Sequence, residues 1–170
     1  FHLERTNVIE EGADSSLGSQ QTGKQRSQGV EVSVVGEILP GWNILGSYAY
    51  TDATIAEDDT FDEGNSLRNV PKHGASLWTT YQIQSGTLEG LGLGLGLYYV
   101  GERQGDLDNS FSLPGYLRTD ASLFYKRNNF AASLNFRNLF DVNYYQGARS
   151  DLRVLPGAPL TVFGKVSLEF

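Results

Sequence analysis

The chain has no cysteine among its 170 residues, and no methionine either. The first absence removes disulfides, thiol catalysis and cysteine-ligated zinc. Only His2 and His73 carry imidazoles, which leaves no room for a multi-histidine metal site. Positive charge is in deficit: the net charge of −7 argues against a nucleic-acid binder held through phosphates. Helical periodicity of any length is missing. No apolar run approaches the ~20 residues of a membrane helix. That last absence does not bear on transmembrane strands, which face lipid on one side only and so average a low hydropathy. With no initiator methionine and no signal peptide, the sequence reads as a processed product or a fragment.

What the chain does have is glycine (20), tyrosine (9) and phenylalanine (9), arranged with a period of two. The last eleven residues show it best. Leu160, Val162, Gly164, Val166, Leu168 and Phe170 are apolar or Gly, while Thr161, Phe163, Lys165, Ser167 and Glu169 alternate with them. Successive side chains of a strand point to opposite faces, so this stretch has one apolar and one mostly polar face. Its length matches the 9–11 or so residues of a tilted transmembrane strand.

The same alternation recurs upstream. A weak strand is expected over 1–10, then a polar, Gly/Ser-rich loop over 11–26. Residues 27–38 alternate again, and Pro40-Gly41 suits the centre of a tight turn. Further strands are expected over 43–55, 71–84, 91–100, 115–126, 130–138 and 160–170. Between them lie polar loops at 56–70, 101–114 and 139–158, and short turns near 85–86 and 127–129. In 91–100, leucines alternate strictly with Gly92, Gly94 and Gly96. Glycine weakens a strand, so the glycine face must be empty or closely approached by something. Asn129 and its neighbours close one of the tight turns.

Connections thus alternate long and short through an eight-strand, up-and-down meander. Transmembrane barrels pair short periplasmic turns with long extracellular loops. Aromatics fall where girdles belong, with Trp42, Tyr125, Phe130 and Phe170 near short turns and Tyr50 and Tyr99 near long loops. A soluble meander would turn its apolar face inward and has less reason to alternate loop lengths. The expected fold class is therefore all-β, an antiparallel up-and-down transmembrane β-barrel segment with the C-terminus on the periplasmic side.

Several stretches carry a more specific likeness. They are Gln21–Glu31, Pro40-Gly41-Trp42, Gly46–Ala53, Asn69-Val70-Pro71-Lys72-His73, Gly101-Glu102-Arg103, Leu113–Tyr116, Asn135–Tyr145 and Pro156–Pro159. Together they resemble the C-terminal part of TonB-dependent siderophore receptors, the ferrichrome-type group above all. The resemblance implies a 22-stranded barrel with a plugged lumen, of which residues 1–170 would be the C-terminal part, without the plug domain or the TonB-contacting segment. On that basis an open curved sheet is expected rather than a small closed barrel. It further implies uptake of a ferric siderophore, with iron present only inside the chelate and no resident cofactor or metal. Implied partners are the TonB complex, outer-membrane lipid and the barrel-assembly machinery, the last through Phe170.

Site residues follow from the same likeness. Phe111, Tyr144, Tyr145, Arg149 and Arg153 lie in long loops and suit a bulky, oxygen-rich chelate; the plainer reading is girdle or loop packing. Arg118, Asp120, Arg137 and Lys165 face the expected lumen and would meet a plug; the plainer reading is solvation of a wet interior. Lys126 and Glu169 share that face. The acids at 57–63 lack the spacing of a calcium loop and read as solvated. His73 with Ser76 raises a hydrolase reading, but a triad needs three groups converging in space, and no enzyme is expected. A passive, porin-like barrel without energised uptake is the alternative function.

Overall fold

The computed structural model describes residues 1–11, 19–58 and 60–169. Among the described residues it contains twelve strands and no helix. They are β1 (His2–Glu11), β2 (Ser19–Leu39), β3 (Trp42–Glu57), β4 (His73–Gln82), β5 (Leu91–Val100), β6 (Arg103–Gln104), β7 (Ser112–Leu113), β8 (Tyr116–Arg127), β9 (Phe130–Arg137), β10 (Tyr145–Ser150), β11 (Arg153–Pro156) and β12 (Thr161–Leu168). Eight of them form one antiparallel sheet in the order β1-β2-β3-β4-β5-β8-β9-β12. Every neighbour in that order is also the next long strand in the chain, which is the expected meander. β1 and β12 are its two edges and do not pair with each other, so the sheet is open. The pairs β6–β7 and β10–β11 are small separate hairpins.

Register places Leu3, Val35, Leu45 and Trp78 on one face and most apolar residues of the sheet on the other. One row runs Ile44, Thr79, Leu95, Ala121, Phe136, Val162; the next runs Trp42, Tyr81, Leu93, Leu123, Leu134, Gly164. A one-residue slip in any strand would send its apolar set to the opposite face. Along this face Val30, Val32, Leu93, Leu117, Val162 and Val166 are all exposed. An apolar band of this size is left uncovered in water only at a cost, and lipid covers it in a barrel wall.

The opposite face holds Ser33, Ser47, Ser76, Tyr98 and Arg118 in one row. Its apolar exceptions explain the glycines of β5. A Cβ on Gly96 would sit 2.5 Å from the Trp78 ring, one on Gly94 2.9 Å from the same ring, and one on Gly92 would strike Phe124. The glycines are therefore closely approached: flat aromatic rings from β4 and β8 lie across them.

Two expectations are corrected. The loop expected over 11–26 is strand for Glu11 and for 19–26; only 12–18 lie between, outside the described residues. β2 is 21 residues long, about 70 Å of strand against an apolar band of roughly 25 Å. Its polar first third extends past that band, where neither face needs to be apolar, so alternation fails as a signal there. The loops at 101–114 and 139–158 likewise contain the hairpins β6–β7 and β10–β11. Phe170, the expected assembly signal, lies outside the described residues.

Replacing Gly96 with Val should displace Trp78 and destabilise the folded wall by about 1–3 kcal/mol through overpacking. Gly36→Val is the control, because a Cβ there meets nothing within 4 Å. Denaturant unfolding of the detergent-solubilised receptor, followed by tryptophan emission, measures both.

Candidate functional site: the cap at the long-loop end

The buried core of the described residues lies at the long-loop end of the sheet, in the end of β3 and the loops against it. Ala53, Ile55, Leu107, Leu113, Tyr144 and Ala148 are its apolar members, with Val8 on β1 apart from them. A sheet with lipid on one face and a wet lumen on the other buries little within itself. Loops that fold over the sheet end can bury one another.

Asparagine side chains hold that cap together by imitating strand pairing. Asn69 Nδ2 donates to Ala148 O at 2.7 Å, and Ala148 N donates to Asn69 Oδ1 at 2.7 Å. Asn109 makes the same two-way pair with Ser66, at 2.9 Å each way. Asn65 Nδ2 reaches Leu107 O at 2.9 Å. The β3–β4 loop is thereby tied both to the β6–β7 hairpin and to β10. Asn69 and Asn109 have φ of 63° and 54°, a left-handed conformation that asparagine tolerates better than most residues.

The Asn-Leu-Phe-Asp stretch is a third clamp. Asn138 is fully buried with φ 55°. Its Oδ1 accepts from Val142 N at 2.9 Å, while Nδ2 donates to Val142 O and Ala158 O. Its own backbone N donates to Asp120 Oδ1 at 2.9 Å. Asp141 Oδ1 accepts from Leu160 N at 2.8 Å. The stretch fixes both ends of the 139–158 loop, which makes it a structural lock. Asp58 does the same between β3 and β2. Desolvation pushes its pKa up, but backbone N–H donors from Phe61, Thr60 and Gly23 outweigh that and hold it below the ordinary carboxylate range.

The expected site residues divide into two groups. Tyr144 is buried, with its ring 4.4 Å from that of Tyr116 and the backbone of Gly157 beneath it. Phe111 is half-buried against Gly105. Arg118 and Asp120 satisfy each other through two 3.0 Å hydrogen bonds, and the guanidinium lies 4.5 Å from the Tyr98 ring centroid. With Asn138 N on the same carboxylate, Asp120 is occupied within this chain. Tyr145, Arg149, Arg153, Arg137 and Lys165 are exposed. Arg149 lines a groove of about 430 Å³ with Arg68, Asn69, Gln146 and Leu155. Arg137 and Lys165 stand on the polar face, opposite Thr161 and Ser133.

Arg103 was not among the expected site residues, yet it is the most constrained cation described. It is 4% exposed, lies 5.8 Å from the Tyr116 ring centroid and donates through Nη2 to Tyr145 O at 2.6 Å. Its Nη1 has no hydrogen-bond partner. Burial lowers the Arg103 pKa, with the Tyr116 phenol acting in the opposite sense. His73 and Ser76 do not converge. His73 Nδ1 meets the Tyr48 hydroxyl at 2.9 Å on the apolar face, while Ser76 meets Ser47 at 2.8 Å on the other.

An open antiparallel meander with one lipid-type face, a polar opposite face and a clamped loop cap is the wall of a large outer-membrane-type barrel. The family described as TonB dependent receptor-like, beta-barrel, matches residues 1–139, and the chain belongs to it. Among curated relatives, the metal-pseudopaline receptor CntO of Pseudomonas aeruginosa is 38% identical, over 100% of this chain and 24% of its own length. The ferrichrome outer membrane transporter/phage receptor of Escherichia coli is 35% identical, over 100% of the chain and 23% of its own length. Among solved structures, the ferric-catecholate import receptor Fiu of E. coli in its closed form superposes with a TM-score of 0.77 at 32% identity, covering 99% of this chain and 24% of that one. The siderophore receptor PiuA of Acinetobacter baumannii gives 0.79 at 28%, covering 98% and 25%. The chain thus spans about a quarter of the proteins it matches.

Asn138→Ala should cost about 2–4 kcal/mol, because it removes three hydrogen bonds and leaves buried partners unmet. Limited proteolysis of the folded receptor should then cut within 139–158, where the parent protein resists.

Proposed function

We propose that this chain is the C-terminal part of the barrel wall of an outer-membrane receptor for TonB-dependent uptake of ferric siderophores. The supporting observation is the clamped cap. Loops locked to one another by Asn69, Asn109 and Asn138 form a rigid rim that leaves Tyr145, Arg149 and Arg153 exposed for cargo. A ferric chelate is bulky and rich in oxygen, and guanidinium groups with a tyrosine face suit it. Arg149 beside Arg68 and Gln146 supplies several donors along one groove. Tyr144 is buried and Phe111 half-buried, with little area of their own to offer.

In this reading the polar face lines a lumen, with the cap outside the cell and the C-terminus in the periplasm. Arg137 and Lys165 face a plug domain supplied by another part of the receptor. Arg118 and Asp120, already paired, present a neutral unit to it. The plug and TonB contacts belong to that other part as well. Phe170 serves the barrel-assembly machinery, and the apolar face meets outer-membrane lipid. Iron travels only as chelate, and no reaction is catalysed.

A panel of ferric siderophores tested for binding to the full-length receptor should yield at least one ligand. Arg149→Ala with Arg153→Ala should weaken that ligand about ten-fold or more, as expected when charge-assisted hydrogen bonds are lost. Failure of every siderophore, with binding of a cobalamin or a sugar instead, would contradict the proposed cargo.

A further inference from the structure

Two consecutive tyrosines at the start of β10 are placed differently. Tyr144 is 6% exposed and Tyr145 43% exposed. Successive side chains of an extended backbone point opposite ways, so fixing the first inward turns the second outward. Tyr144 is fixed twice. Its carbonyl accepts from Gly157 N at 2.7 Å, and its ring packs on Tyr116 with 4.4 Å between centroids. Arg103 joins this group, its guanidinium carbon 5.8 Å from the Tyr116 centroid, and its Nη2 donates to Tyr145 O at 2.6 Å.

β10 pairs with one strand, β11. Side chains from other loops take further polar groups of its backbone. Asn69 holds Ala148 at both N and O, and Arg68 Nη1 donates to Arg149 O at 3.3 Å. Both come from the β3–β4 loop. Arg103, on β6, supplies the hold from the next loop, at the end where Tyr145 stands. Arginine is a costly choice for that task. A guanidinium 4% exposed gives up hydration that one backbone carbonyl does not return. An apolar side chain of similar length would fill the same space at less cost in stability. What arginine supplies is direction, through a rigid planar set of donors that lies against an aromatic ring while reaching a fixed acceptor.

We propose that Arg103 is a positioning residue for cargo recognition: by holding Tyr145 O, and Tyr144 through Tyr116, it orders β10 so that Tyr145 and Arg149 face the chelate. The inference deepens the proposed function and rests on it. A β10 ordered before binding spares the complex the entropy of ordering it, so the gain lies in affinity rather than in stability.

The test uses the full-length receptor with Arg103→Met, which removes the donors, and Arg103→Lys, which keeps one. Ferrichrome, ferrioxamine B and an iron(III) tris-catecholate are the binding probes, and hydrogen exchange of the unliganded receptor reads the order of residues 145–150. Arg103→Met should speed exchange there about ten-fold and weaken the bound probe about ten-fold, the order expected when one or two side chains must be immobilised on binding. Its denaturant midpoint should not fall, and Arg103→Lys should restore most of both losses. Arg103→Gln, too short to keep the hold on Tyr145 O, replaces the Met variant if that one fails to assemble. Parent-like affinity in Arg103→Met would overturn the proposal. So would a fall in midpoint with exchange rising across the whole sheet, which would make Arg103 a support of the fold alone. If the parent binds none of the three probes, the cargo reading fails, while faster exchange confined to 145–150 would still support Arg103 as the residue that orders β10.

Discussion

Backbone hydrogen bonding between neighbouring strands is the constraint on which everything else rests. Within a bilayer no water is available to an unpaired N–H or C=O, so each strand must satisfy its neighbours along its whole length. The continuous registers from β1 through to β12 meet that demand at every internal strand. They leave it unmet at two edges, the outer sides of β1 and β12. An open edge of this kind is a template for pairing with a further strand. The same ladder fixes which side chains share a face, so register decides lipid side and lumen side together.

Because the sheet buries so little within itself, stability has to come from elsewhere. Part comes from lipid over the apolar face. Part comes from the cap, where Ile55, Leu107, Leu113 and Ala148 are buried and asparagines replace absent strand partners. Such clamps are specific to one backbone conformation. They fix the loop positions, while Arg149 and Arg153 stay exposed at the surface.

The sheet was legible in the sequence because alternation is a local signal. β5 and β8 fall where their leucines and polar residues predict, with their faces as expected. The polar first third of β2 was not legible, since a strand outside the apolar band carries no alternation. The hairpins β6–β7 and β10–β11 are only a few residues each and leave no periodic trace. The cap was least legible. Asn69 meets Ala148 and Asn109 meets Ser66 across long sequence separations, and nothing near those asparagines names the partner. Their left-handed backbone is the one hint, and it requires the structure to be seen. Asp120 shows the same limit: its period-two position gives the face, but its commitment to Arg118 and Asn138 is a matter of three dimensions.

The central claim is that alternate residues of one strand meet lipid and a wet interior. The absence of native cysteine makes a direct measurement simple. Single cysteines introduced in turn from Leu117 to Lys126 in the full-length receptor, spin-labelled and reconstituted in bilayers, report access to a lipid-soluble and a water-soluble relaxation agent. Positions 117, 119, 121, 123 and 125 should favour the lipid-soluble agent, and positions 118, 120, 122, 124 and 126 the water-soluble one. Accessibility without a period of two, or with the opposite phase, would contradict the account.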